Sequence, residues 1–152
     1  LYGGYKGSAG PVGFDVGVLR YQYPGHDLAT SPNTTELYGA ATFGPATLKY
    51  SHSVTNLFGF ADSENSYYVE AAATFYLGNG FSVVPHVGYQ KVKHSDAFSY
   101  TDYSVALAKD FGNGFIVSLA AVGTDADEAL YVTPAGKFTG KSRLVLGAKY
   151  AF

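Results

Sequence analysis

The residues that could do chemistry fall into four groups. Asp15, Glu36, Lys49, Glu70, His86, Asp102, Asp110, Lys141, Arg143 and Lys149 share one side of extended, alternating segments. Mixed charges on an enclosed wall can line a watered path and set ion selectivity, or pair with one another and plug it. Tyr21, Tyr23, Tyr38, Tyr68 and Tyr76 fall on the same side. Such tyrosines can stack on sugars or aromatic solutes, and more often they simply pack an interior. Arg20, His52 and Lys91 fall on the opposite, apolar side near segment ends. Long basic side chains in such places can bring their charge to an anionic lipid surface while their stems stay in apolar surroundings.

The acidic stretch Thr124-Asp125-Ala126-Asp127-Glu128 offers oxygen ligands. It lacks the ligand spacing and turn glycine of a calcium loop, so a solvated loop is the expectation. His94-Ser95-Asp96 holds the residue types of a nucleophilic triad, but they are sequential, and a triad needs convergence in space. His52 and Ser53 are neighbours in an extended segment, so their side chains leave opposite faces. No phosphate-binding loop, paired-cysteine motif or zinc-protease motif occurs. The reading is of a protein that is not an enzyme and needs no cofactor or metal.

The elements that must position these residues are strands. Across 152 residues the net charge is −2, too small for a strong field toward a polyanion, and there is no cysteine. Charged residues make up 14% of the chain, against about 25% in soluble domains. Aromatic residues make up 16%, as 14 Tyr and 11 Phe. The apolar residues lie at every second position instead of in continuous core runs. No run approaches the roughly 18 residues that a transmembrane helix needs, and no signal peptide is visible at Leu1.

Two kinds of connection alternate along the chain. Short glycine-centred turns stand at Ser8-Ala9-Gly10, Gly44-Pro45, Gly78-Asn79-Gly80 and Gly112-Asn113-Gly114. Asn-Gly between alternating segments is a tight-hairpin signal. Long polar connections fall at roughly 24–34, 56–66, 93–99 and 125–140. Such sorting is the sidedness of a transmembrane barrel, with short turns at one end and longer loops at the other.

About nine strands are expected, at 1–7, 11–23, 35–43, 45–55, 66–77, 81–92, 100–111, 115–124 and 140–152. Pro85 removes a ladder donor within one of them and is expected to mark a bulge. In the last strand, Leu144, Leu146, Ala148, Tyr150 and Phe152 share one face, and Lys141, Arg143, Val145, Gly147 and Lys149 the other. The apolar face has small or aliphatic middles and aromatic ends, as do barrels with girdles at both membrane interfaces. The expected fold is all-β: an up-and-down antiparallel transmembrane β-barrel, in one domain over residues 1–152. Single-chain bacterial barrels have even strand numbers. So either 1–7 is not a barrel strand, leaving eight, or further strands precede Leu1.

Leu1-Tyr2-Gly3-Gly4-Tyr5-Lys6-Gly7, then Gly17 through Gly25, Glu36-Leu37-Tyr38-Gly39 and Gly147 through Phe152 resemble the TorF family of porins. The likeness spans most of the chain in short patterns. It implies an outer-membrane barrel of a Gram-negative bacterium, of about twelve strands when complete, this chain being the later, C-terminal part. Phe152, Tyr150 and Gly147 resemble the terminal signal read by the barrel assembly machinery, with Val145 departing from the usual polar residue. The partners so implied are that machinery during insertion, outer-membrane lipid, and anionic lipopolysaccharide at Arg20, His52 and Lys91. The expected function is a porin passing small ions or solutes. The alternatives are a non-conducting barrel with a structural or partner-binding role, and a soluble β-barrel holding an apolar ligand.

Overall fold

The computed structural model describes residues 1–133 and 135–152. It is one antiparallel sheet of ten strands: β1 (Tyr2–Ala9), β2 (Val12–Tyr21), β3 (Thr34–Phe43), β4 (Ala46–Ser53), β5 (Tyr67–Ala73), β6 (Phe75–Gly78), β7 (Phe81–Lys91), β8 (Tyr100–Asp110), β9 (Phe115–Thr124) and β10 (Arg143–Tyr150). Each strand pairs with its chain neighbours, β5 and β6 sharing β7. A three-residue 3-10 turn at Asp96–Phe98 is the one helical piece among the described residues.

The hairpin turns follow from residue type. Ala9 pairs with Val12 and Phe43 with Ala46, so Gly10-Pro11 and Gly44-Pro45 are two-residue turns. Their glycines take φ of 59° and 56°, the positive value a first turn position needs in a type II′ hairpin. The first turn thus sits later than Ser8-Ala9-Gly10, because β1 runs on to Ala9. Asn79 and Gly80 both take positive φ, 50° and 75°, as a type I′ turn requires. The short turns gather at one end of the strands and the long connections at the other. The last of these, expected at 125–140, includes Pro134, which lies outside the described residues.

The segment expected as a single strand over 66–77 is two, β5 and β6, broken at Thr74. The Thr74 N–H donates to the Pro45 carbonyl at 2.9 Å, so Ala73 turns its own polar groups toward β7. With Ala72 opposite His86 and Phe75 opposite Val83, the position facing Ala73 is Pro85, which has no N–H to give. The register is the same on both sides of the break. The expected bulge at Pro85 is therefore a missing rung instead.

Two expectations about closure need correction. Leu1–Gly7 is not a stray segment, because β1 pairs with β2 over eight positions; this removes the eight-stranded alternative. The sheet is also open: β1 and β10 are its edges and do not pair with each other. Period-two alternation says which way each side chain points. It carries no information on whether the first and last strands meet, which depends on tilt and stagger.

The two faces have opposite character. Leu37, Leu48, Val105, Leu119 and Leu146 stand exposed on one face, Leu146 at 76%. On the other, Glu36, Ser51 and Gln90 are buried. The buried hydrophobic residues are Leu57, Val92 and Ala126, all outside the strands. The sheet is thus the inverse of a water-soluble one, whose apolar face would be covered. Aromatic residues edge the exposed face. Tyr50, Tyr67 and Tyr89 form a belt toward the long connections, with ring centroids 5.6 Å and 6.3 Å apart. Phe43, Phe75, Phe81, Phe111, Phe115 and Tyr150 lie toward the short turns.

Candidate functional site on the polar face

Strand register places the charged residues on one line. Lys6 faces Asp15, Asp15 faces Ala40, Ala40 faces Lys49, and Lys49 faces Glu70. Glu70 faces Gly88, which faces Asp102. His86 lies on the same face in the adjoining row, opposite Ala72 and Ser104. Side chains at neighbouring rungs on one face lie close enough to interact, and here they do. Lys6 Nζ is 3.5 Å from Asp15, and Lys49 Nζ is 3.4 Å from Glu70. His86 bridges two acids, with Nε2 at 3.1 Å from Glu70 and Nδ1 at 3.5 Å from Asp102. An imidazolium could donate to both at once, and a neutral ring to one only.

Two tyrosines cross this line by the same device. Tyr68 lies over Gly88 and donates its hydroxyl to Asp102 at 2.8 Å. A Cβ at position 88 would come within 1.9 Å of that hydroxyl, so only glycine admits the ring. Tyr38 lies against Gly17 and donates to Asp15 at 3.1 Å. Hydrogen bonds to a charged acceptor are the stronger kind. Both tyrosines were expected inward, but their reach to an acid was not. Their spacing to Gly17 and Gly88 is legible only after the register is known.

The remaining predicted residues take other parts. Glu36 is buried on the polar face, one row beyond Tyr38. Asp110 Oδ1 accepts from the Gly112 N–H at 2.7 Å and so caps a turn. Lys149 pairs with Ile116 near that same turn, away from the charged line. Lys141 lies in the connection before β10, and Arg143 begins that strand. Tyr76 is 85% exposed near the short turns. Gly147 packs beside Ser118, and the rings of Tyr150 and Phe152 lie 6.4 Å apart, both exposed.

The three rim cations lie on the apolar side, each with a local partner. Arg20 donates to Thr35 Oγ1 at 2.6 Å. His52 contacts the Tyr50 hydroxyl at 3.1 Å and Asn65 Oδ1 at 3.2 Å. Lys91 is 2.7 Å from Asp96. That lysine, through its hydrogen bond and charge, holds the Asp96 carboxyl below its ordinary range. A depressed folded-state pKa gives a contribution that is full above the unfolded value and fades as pH falls through the folded one. Titrating the Asp96 carboxyl by NMR should find it below the ordinary carboxylate range, and Lys91→Gln should return it there.

His94 Nδ1 lies 2.8 Å from the Asp62 carbonyl oxygen, while Asp96 is held by Lys91; the three residues 94–96 face different partners. Asp125 Oδ1 accepts from the Thr101 N–H at 2.5 Å, and Asp127 Oδ1 from the Ala129 N–H at 2.8 Å.

The connection after β4 looked like a plain polar loop in the sequence and is instead a small hydrogen-bonded core. Thr34 Oγ1 accepts from the Phe58 N–H at 2.8 Å. Ser63 Oγ accepts from the Leu57 N–H at 2.8 Å and donates to the Phe60 carbonyl at 2.6 Å. Ser66 Oγ donates to the Ser63 carbonyl at 2.6 Å and accepts from the Lys93 N–H at 2.9 Å. Thr34, Ser63 and Ser66 are fully buried. Phe58 rests edge-on against Tyr21, and Phe60 lies 4.7 Å from Phe98.

A family model described as a bacterial protein of unknown function (Gcw_chp) matches residues 1–152. The chain belongs to the Gcw_chp family. No curated protein and no solved structure matches it. What a Gcw_chp chain does must then be argued from its own faces: an apolar one that is bare, and a polar one crossed by a line of paired charges.

Proposed function

We propose that this Gcw_chp protein is an outer-membrane barrel that acts as a porin, passing small ions or solutes along its polar face. The observation that carries this reading is the inverted sheet, with Leu37, Leu48, Val105 and Leu146 exposed and Glu36, Ser51 and Gln90 covered. A bare apolar face suits lipid, and an antiparallel sheet with its polar groups inward suits an aqueous lumen. The belt of Tyr50, Tyr67 and Tyr89 and the Phe-rich edge opposite suit the two interfaces of a bilayer. Lipid, lipopolysaccharide near Arg20, His52 and Lys91, and the assembly machinery at Gly147, Tyr150 and Phe152 are the partners of this reading. It assigns the chain no catalysis.

A non-conducting barrel with a structural or partner-binding role is the second reading, favoured by the paired charges. Lys49, Glu70, His86 and Asp102 satisfy one another across the face, and the rings of Tyr38 and Tyr68 lie along it. A soluble barrel with an apolar ligand inside would need its apolar face covered, the opposite of what is seen.

Planar-bilayer recordings of the full-length native protein under a salt gradient separate these. Discrete steps with a reproducible reversal potential are expected, with Glu70→Gln shifting that potential toward anion permeation. A well-inserted but silent protein would overturn the porin reading in favour of the plugged one.

A further inference from the structure

A cavity of about 450 Å³ lies at the long-connection end of the polar face, between the sheet and the segment before β10. Its size falls in the range of small-molecule sites, roughly 300–1,000 Å³. Tyr68 and Tyr100 come to it from β5 and β8, and Tyr131 from the connection before β10. The Tyr100 and Tyr131 rings meet edge to face, with centroids 5.5 Å apart. Val122, Gly123 and Ala126 supply further apolar wall.

The hydrogen-bonding groups around the cavity are mostly committed elsewhere. The Tyr68 hydroxyl donates to Asp102, and the Tyr131 hydroxyl donates to the Phe98 carbonyl at 2.5 Å. Burial of that Tyr131 hydroxyl raises its pKa, to about 12, so it stays a neutral donor. Thr124 Oγ1 donates to the Thr101 carbonyl at 2.7 Å, and Thr139 Oγ1 to the Tyr131 carbonyl at 2.9 Å. The acid on the wall, Asp102, is shared between Tyr68 and His86. Two cations remain. Lys141 and Arg143 line the cavity, and among the described residues neither forms an ion pair with a carboxylate of the chain.

We propose that this cavity binds small organic anions that carry one carboxylate on a flat apolar ring, of the class of aromatic monocarboxylates. The ring packs among the tyrosines, where aromatic pairs gain beyond simple burial. The carboxylate meets Lys141 and Arg143, and an arginine fork can take it bidentately. A sugar is disfavoured, because its many hydroxyl protons would find few free acceptors here, Asp102 being already shared. Access of the solute rests on the polar face being the wall of an aqueous path. The recognition itself rests on the cavity alone.

The test uses full-length protein in detergent micelles, with benzoate as the probe and calorimetry or saturation-transfer NMR as the readout. Acetate supplies the charge without the ring, and benzyl alcohol the ring without the charge. Benzoate is expected to bind at least tenfold tighter than either. Combining Lys141→Gln with Arg143→Gln should weaken it about tenfold, toward benzyl alcohol. Tyr131→Leu should weaken benzoate and leave acetate unchanged; circular dichroism checks that each variant keeps its sheet. Benzoate binding no tighter than acetate or benzyl alcohol would overturn the proposal, as would a double variant of native affinity. Conductance recorded on the same preparation keeps the two ideas apart. A silent protein that binds benzoate loses the porin reading and keeps the site, and a conducting protein that ignores benzoate does the reverse.

Discussion

Leu146→Arg and Val105→Arg are expected to block assembly into the membrane, while Val145→Arg inserts nearly as the native protein does. Leu146 faces Leu119 across the ladder and is 76% exposed; Val105 faces Ala121 at the middle of β8. Both sit on the bare apolar face, at rungs between the two aromatic belts. In the proposed outer-membrane reading an arginine there would meet the hydrocarbon centre, at about 2–4 kcal/mol. That is a large share of the roughly 5–15 kcal/mol that holds an ordinary domain folded. Val145 is the chain neighbour of Leu146, but it faces Ala120 on the polar side. In the proposed reading its arginine would face water there instead of lipid. Heat-modifiable mobility of the membrane-inserted fraction reads the difference. Equal behaviour of all three would remove the membrane assignment of the apolar face.

Gly88→Ala should cost about 1.5–3 kcal/mol, the worth of a hydrogen bond to a charged acceptor. The added methyl carbon would fall 1.9 Å from the Tyr68 hydroxyl and 2.4 Å from its Cζ. The ring is the part able to move, and as it swings away it releases Asp102. That acid then keeps only the longer His86 contact at 3.5 Å. Tyr68→Phe removes the same hydrogen bond by another route. The two changes should therefore fail to add: once the new methyl has expelled the ring, losing its hydroxyl costs little more. Unfolding in denaturant, run as a double-mutant cycle, measures this coupling. Full additivity would mean that Gly88 and Tyr68 act separately and that the crossing does not hold the charged line together. Gly17→Ala should be harsher, because its methyl would meet the Gly3 backbone carbonyl at 2.5 Å, and a strand cannot rotate aside as a ring can.

How much of this was legible beforehand depends on the range over which each feature is decided. Hairpin positions and facing follow from neighbours in sequence. Asn79-Gly80 can take the turn that it takes, and Leu144, Leu146 and Ala148 share a face because successive side chains alternate. Asp15, Glu36, Lys49, Glu70, His86 and Asp102 share the polar face by that same alternation. Asp110, a turn cap, and Lys141, a cavity cation outside the strands, show where facing alone says too little. The break at Thr74 needed the register of the opposing strand, since the cause is Pro85 across the ladder. The buried serines after β4 needed the fold of the connection, because a serine has the same polarity whether it meets water or a backbone carbonyl.

The sequence by itself determined an all-β, up-and-down chain with one polar and one apolar face, short turns at one end and long connections at the other. These are local consequences of period two and of turn chemistry. Only the tertiary structure decided that the apolar face is the bare one, that β1 and β10 stay apart, and that His86 stands between Glu70 and Asp102. It also decided that Tyr68 passes over Gly88, and that three tyrosines and two cations surround one cavity. Each of these depends on which rung faces which, and pairing between strands is settled by the sheet as a whole, not by any one segment.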